Sequence, residues 1–120
     1  MTPQLPVFDP DEVLARMMGK ASLVEKVLQM FLGTTPEVLD QLGEALASGD
    51  AAAARELAHS LKGSAANIAA RQFAATAACL EDAARDGDVA GARSHWQGLL
   101  DAWVRLNDRL AERGGPAAAR

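Results

Sequence analysis

The sequence lacks the features on which several classes of protein depend. Its single cysteine, Cys79, excludes an internal disulfide and a cysteine metal cluster. The opening residues, MTPQLPVFDP, have neither the basic start nor the apolar run of a signal peptide. No apolar run approaches the roughly 18 residues that a membrane span requires. We therefore expect a cytoplasmic protein that does not act in a membrane.

Residues that favour β-strands are also scarce. Tyrosine is absent, isoleucine occurs once and alanine is the commonest residue, so the composition favours helices. The chain has 120 residues, which is enough for one compact domain, and its hydrophobic content of 49% is typical of a soluble globular protein. The net charge of −4 argues against nucleic acid as a partner.

Capping signals mark the starts of the first two helices. In FDPDEVLARMMGK, Asp9 can cap a short helix that has Pro10 at its first position and Glu12 in the capping-box place. A second capping box, from Ser22 to Glu25, predicts the start of the next helix.

The second helix is predicted to be long. Its apolar residues recur at about 100° per residue, and their phase survives across Pro36. The pattern therefore predicts one helix that is kinked near Thr34–Thr35 rather than two helices. The residues on its apolar face are Val24, Val27, Leu28, Phe31, Val38, Leu39, Leu42 and Leu46.

Two further breaks complete the helical pattern. Asp50 can cap a third helix, Asp86-Gly87-Asp88 ends a fourth, and a fifth is predicted from about Val89 to Arg113. The apolar face predicted for the fourth helix consists of Phe73, Ala77, Leu80 and Ala84. Four longer amphipathic helices joined by short turns predict an all-α fold, an antiparallel four-helix bundle with a short extra N-terminal helix. We assign residues 1–6 to an N-terminal extension, 7–113 to the bundle and 114–120 to a disordered tail.

The stretch AHSLKGSAANIAA, residues 58–70, carries the candidate site. At helical spacing Leu57, Leu61 and Ile68 share the core side, so His59 points outward. On periodicity alone, an exposed histidine without a function is the favoured interpretation, since most surface residues have no specific function.

Gly63 lies four residues after His59, inside the predicted helix. Glycine inside a helix costs about 1 kcal/mol relative to alanine. Gly63 removes a side chain that would crowd the His59 ring, and the Lys62 ammonium can pair with an anion attached to that ring. This arrangement suits a nucleophile that accepts a phosphoryl group. A competing interpretation is that Gly63 lets two helices pack closely.

This stretch resembles the phosphoacceptor motif of histidine-containing phosphotransfer (HPt) domains, H-x-L-K-G-[SA]-[SA]-x-x-[LIVF]-G. The similarity extends over about residues 7–112. The segment FDPDEVLARMMGKASLVEKVLQMF resembles the start of the family's domain, and CLEDAARDGD resembles the end of its fourth helix. Ala69 departs from the motif, because it stands where the family usually has a glycine that we expect to serve close helix packing. The matching residues are His59, Leu61, Lys62, Gly63, Ser64, Ala65 and Ile68.

The resemblance implies a phosphorelay carrier rather than a kinase. His59 would take a phosphoryl group from a receiver-domain aspartyl phosphate and pass it to another receiver, while Lys62 would neutralise phosphate charge and Gly63 would leave room for docking. A residue on the adjacent helix would bond the other ring nitrogen. Glu81 is the best match by spacing and Gln72 a weaker one, and an ordinary exposed carboxylate is an equally good interpretation of Glu81.

The resemblance also sets the expected partners. They are response-regulator receiver domains and an upstream hybrid sensor kinase. The chain itself is expected to be a monomer, and it can be either a free-standing domain or a piece of a larger protein. No cofactor or metal is expected on this chain, since the receiver would bring Mg²⁺ and no nucleotide-binding motif is present. The alternative function is an interaction-only helical bundle that docks receivers without accepting phosphate.

Overall fold

The computed structural model describes residues 5–113, and in that range every regular element is a helix. The prediction of an all-α bundle with a short N-terminal helix is confirmed. The predicted disordered tail, 114–120, and the first four residues of the predicted extension lie outside the described range. The helices are α1 (Pro10–Arg16), α2 (Ala21–Ser48), α3 (Ala51–Asn67), α4 (Arg71–Arg85), α5 (Val89–Ser94) and α6 (Trp96–Glu112).

The first predicted helix start is confirmed and the second is wrong. Asp9 accepts a hydrogen bond of 3.0 Å from the Glu12 backbone N–H, with Pro10 at the first helical position. Helix α2, however, begins at Ala21, and its N-cap is Lys20, whose side chain makes no capping bond. The Lys20 carbonyl already accepts from the Val24 N–H, so Ser22 lies inside the first turn and cannot cap it.

Helix α2 is continuous across Pro36, which confirms one long helix rather than two. Proline has no N–H to donate to the carbonyl of Leu32. In the preceding turn, the Thr34 and Thr35 hydroxyls donate to the carbonyls of Met30 and Phe31. A bend at Thr34–Thr35 stays a prediction.

The last predicted helix is divided into two, α5 and α6, at His95. Helix α5 starts at its own cap, where Asp88 accepts from the Gly91 N–H at 2.8 Å. The Arg93 Nε then donates to the Leu46 carbonyl at the end of α2. Tertiary contacts with α2 thus fix the direction of this short segment, and the apolar pattern of the sequence did not reveal the break.

The core runs along the inner faces of α2, α3, α4 and α6. Phe31, Phe73 and Trp103 form an aromatic cluster with ring centroids 5.8–5.9 Å apart. The faces predicted for α2 and α4 are the buried ones, although Val27 and Val38 are only partly buried. The largest fully buried side chains are Phe73, Leu28, Leu42, Leu61, Ile68, Leu80, Leu99, Leu106, Leu110 and Val13.

The turn between α3 and α4 explains the glycine position in the HPt-like motif. Ala69 follows the C-cap of α3 and has a left-handed backbone with φ of 60°, which disfavours any residue with a Cβ. The Ala70 N–H bonds the Ala65 carbonyl at 2.9 Å, as at many helix ends. Ala69 is also fully buried, in keeping with the expected role of this position in close packing. The left-handed backbone is a second reason for glycine that the sequence did not reveal.

Ala69→Gly should cost clearly less stability than Ala65→Gly, although both alanines are fully buried. Each change removes a methyl group worth about 0.8 kcal/mol. Within α3, glycine adds a further cost of about 0.5–1 kcal/mol, whereas at position 69 it relieves a strain of about 1–2 kcal/mol. Urea unfolding of the two variants measures the difference, and equal losses would contradict the strain at Ala69.

Candidate functional site

The His59 side chain projects from α3 into solvent, with 68% of its surface exposed. Ala54 and Leu61 are buried on the opposite side of the helix. The outward orientation predicted from the helical pattern is therefore confirmed, and the ring can be approached by another protein without disturbing the core.

A buried carboxylate from α4 holds this exposed ring. The Glu81 Oε2 lies 2.8 Å from the His59 Nδ1, and only 4% of the Glu81 side chain is exposed. Small, fully buried residues such as Ala58 and Ala77 lie on the inner faces of α3 and α4, and small contact residues allow helices to approach closely. Glu81 is thus not the ordinary exposed carboxylate that the sequence left as an alternative.

Two cations complete the surroundings of Glu81. The Lys62 Nζ lies 2.6 Å from Oε1, and the Arg85 Nη2 lies 3.4 Å from Oε2. Sequence reasoning placed Lys62 beside the ring and missed its ion pair with Glu81. It also missed Arg85, although its spacing of four residues from Glu81 is that of helical ion pairs.

The environment keeps Glu81 ionised. The Lys62 ammonium lowers the pKa of Glu81 most strongly, burial opposes this by raising it, and the hydrogen bond with His59 lowers it again, so that the net pKa is below the ordinary value. An ionised carboxylate can only accept, so the His59 Nδ1 carries the proton and donates it. The lone pair of the neutral ring is then on Nε2, where no hydrogen bond from residues 5–113 occupies it.

The other two candidate residues, Gly63 and Gln72, have different surroundings. A methyl group added to Gly63 would meet no atom within 4 Å outside its own helix, so close packing within the domain does not explain this glycine. Gln72 is engaged elsewhere. Its Nε2 donates to the Leu5 carbonyl, and its Oε1 accepts from Arg105. It is therefore not the partner of the His59 ring.

The surface around the ring is a shallow, mostly charged groove. His59, Lys62 and Glu81 are joined there by Arg55, Glu56 and Arg85. Within the described range, no group of three or more His, Cys, Asp or Glu side chains is arranged to hold a metal ion, and no helix is long and apolar enough to cross a membrane. The chemistry that the groove offers is that of an oriented nucleophile beside cations.

Glu81→Gln should flatten the acid limb of the stability curve. Because the pKa of Glu81 is lowered in the folded state, its ionised form stabilises the fold above the ordinary glutamate pKa. That contribution is lost as the pH falls through the lowered value. Urea unfolding between pH 7 and about 3 should thus show a smaller pH-dependent loss in the variant than in the wild type.

Glu37→Gln is the matched control, because Glu37 is exposed and makes no ion pair within residues 5–113. Its stability curve should run parallel to that of the wild type. If Glu81→Gln also ran parallel to the wild type, the carboxylate would not be stabilised by its cations in the way described.

Known proteins resemble this chain in sequence and fold. A family model described as the Hpt domain matches residues 26–113, which is most of the chain. Histidine-containing phosphotransfer protein B (HptB) from Pseudomonas aeruginosa PAO1 has a similar crystal structure, with a TM-score of 0.81, 29% identity and coverage of 92% of this chain and 96% of that one. The HPT domain of a sensor hybrid histidine kinase from Shewanella shares the fold, with a TM-score of 0.77, 22% identity and coverage of 91% and 97%. The curated proteins include no match. The chain belongs to the histidine-containing phosphotransfer domain family.

Proposed function

We propose that His59 is the phosphoacceptor of this chain in a two-component phosphorelay. The donor would be an aspartyl phosphate on a receiver domain, such as that of a hybrid sensor kinase, and the acceptor a second receiver on a response regulator. One observation carries the proposal, namely an exposed imidazole whose Nδ1 is held by the buried carboxylate of Glu81 at 2.8 Å. A histidine without a function would not need a buried charge to orient it.

The transfer step follows from this orientation. The Nε2 lone pair of His59 attacks the phosphorus atom, an Nε2–P bond forms, and the P–O bond to the receiver aspartate breaks with its electron pair left on the carboxylate. The ring keeps its proton on Nδ1 and becomes positively charged. Glu81 faces that charge through the same hydrogen bond, so it stabilises the phosphorylated ring more than the neutral one.

The return step reverses the first. A carboxylate oxygen of the second receiver attacks phosphorus, and the imidazole leaves as a neutral ring. Because Glu81 keeps the proton on Nδ1 throughout, no proton has to move in either direction. A carrier needs this reversibility, since it must give up the phosphoryl group as readily as it accepts it.

His59→Gln should abolish phosphate uptake without unfolding the domain, because the ring lies outside the core. Purified chain incubated with a panel of phosphorylated receiver domains should gain acid-labile, alkali-stable phosphate only when His59 is present. Leu61→Ala is the structural counterpart and should cost roughly 2–5 kcal/mol of stability. Phosphate retained on the His59→Gln chain would overturn the assignment. Wild type that binds receivers but takes no phosphate would favour the interaction-only alternative.

Gly63→Ala should stabilise the protein and slow transfer. The new methyl group meets no neighbour within 4 Å and removes the helical cost of glycine, up to about 1 kcal/mol. The same methyl group stands one turn from His59, where a receiver has to approach. Melting temperature and transfer rate are measured on the same sample.

Gly33→Ala provides the comparison, since Gly33 is an exposed helical glycine on α2 that also has open space around it. Both substitutions should raise the melting temperature, but only Gly63→Ala should slow transfer from a receiver. A Gly63→Ala chain that is less stable, yet transfers at the normal rate per folded molecule, would exclude the access role of this glycine.

A further inference from the structure

Lys62 has one ammonium group. Once His59 is phosphorylated, that group would lie near two anions, the Glu81 carboxylate and the phosphoryl group. In the unphosphorylated protein the ammonium lies 2.6 Å from the Glu81 Oε1. Phosphorylation of Nε2 brings a second and more highly charged anion to the adjacent helical turn. Lys62 can neutralise that charge only if it leaves Glu81 or is shared with it.

Leaving Glu81 is unfavourable as long as nothing replaces the ammonium. The Glu81 Oε1 is buried, and it receives no well-aligned hydrogen bond besides its contact with Lys62. The Glu81 Oε2 is already engaged by the His59 ring at 2.8 Å. Departure of Lys62 would therefore leave a buried, charged oxygen without a partner, which is costly in a low-dielectric environment.

Arg85 is in a position to replace the ammonium. It lies one turn beyond Glu81 on α4, and its Nη2 is 3.4 Å from Oε2, a distance that leaves this contact weak. Its Nη1 bonds the exposed Asp82 at 3.0 Å, and about half of its side chain is exposed, so the guanidinium is not fixed in a packed environment. A planar guanidinium with five donors can contact both oxygens of one carboxylate.

We propose that Arg85 is a positioning residue. It pairs with the Glu81 carboxylate when the Lys62 ammonium moves from Glu81 to the phosphoryl group on His59. Arg85 itself does not touch the phosphoryl group. It acts by keeping the buried carboxylate paired, so that Lys62 is free to neutralise phosphate. This inference rests on the proposed function of His59 and adds a residue to it.

The competing account is that Arg85 only forms ordinary ion pairs within α4, which stabilise the last turn of that helix. Its exposed pair with Asp82 would contribute little to stability. That account predicts at most a small change in melting temperature, and an effect on phosphorylation that does not depend on Lys62.

A chemical donor tests the exchange without a receiver. Phosphoramidate transfers its phosphoryl group to an imidazole nitrogen and releases ammonia, and ³¹P NMR follows the phosphohistidine that forms. Arg85→Ala should lower the rate constant of His59 phosphorylation by roughly tenfold, the size expected for residues within one charge network. Arg85→Lys, which keeps a cation, should restore most of the rate.

A double-mutant cycle with Lys62→Gln identifies the route. If Arg85 acts through Lys62, Arg85→Ala should cause no further loss in the Lys62→Gln chain. Equal losses in both backgrounds, or no loss in either, would overturn the proposal. A third readout applies even where Lys62→Gln itself is too slow to measure. The guanidinium NMR signals of Arg85 should shift when wild-type His59 is phosphorylated, and signals that stay unchanged would contradict the exchange.

Asp82→Asn is the control for local charge. It removes the other ion partner of Arg85, and its side chain is 67% exposed, so the phosphorylation rate should stay within about twofold of the wild type. Wild type that takes phosphate from neither phosphoramidate nor a receiver would overturn the proposed function together with this inference. Wild type that is phosphorylated normally, with an equally fast Arg85→Ala chain, would overturn this inference alone.

Discussion

The buried carboxylate of Glu81 is the interaction on which the site depends. It draws an exposed ring, an ammonium and a guanidinium to one point between α3 and α4. A buried charge of this kind is tolerated only when it is paired, and here both of its oxygens face cations or an N–H donor. The same pairing that makes its burial possible also fixes the proton on the His59 Nδ1 and leaves the lone pair on Nε2, the nitrogen that we propose as the phosphoacceptor.

The turn between α3 and α4 makes this pairing possible, because it sets the register of the two helices. Ile68, Ala69 and Ala70 are almost completely buried, and the left-handed backbone at Ala69 reverses the chain within three residues. The Ala69 carbonyl also accepts from the Asp9 N–H, which ties the turn to the start of α1. The Glu12 carboxylate adds an ion pair from α1 to Arg71 at 2.6 Å, at the start of α4. The short N-terminal helix thus stabilises the turn between α3 and α4, which lies more than two helical turns from His59.

Exposure and orientation are divided between the two helices. Helix α3 supplies the groups that a partner can reach, His59, Lys62 and the open position at Gly63, while α4 supplies the buried group that orients them. This division explains how a small domain can present a reactive side chain without a deep pocket. In the proposed function, the receiver needs only an accessible nucleophile, and the groove around His59 leaves room for the phosphoryl group and for the receiver that donates it.

Local signals in the sequence determined most of the helices, the outward direction of His59 and the family. Periodicity and capping depend on neighbours within one or two turns. The N-cap at Asp9, the continuity of α2 and the apolar face of α4 could therefore be predicted from the sequence. The tertiary structure alone decided the start of α2 at Ala21, the break at His95 and the strain at Ala69, because these follow from how segments meet. The same holds for the site. Spacing favoured Glu81 over Gln72 but left an ordinary exposed carboxylate as an equally good interpretation. Only the packing of α4 on α3 buried Glu81 beside the ring and turned Gln72 toward Leu5 and Arg105. A charge that is buried by one helix and neutralised by another is a property of their contact, and no segment of the sequence contains it.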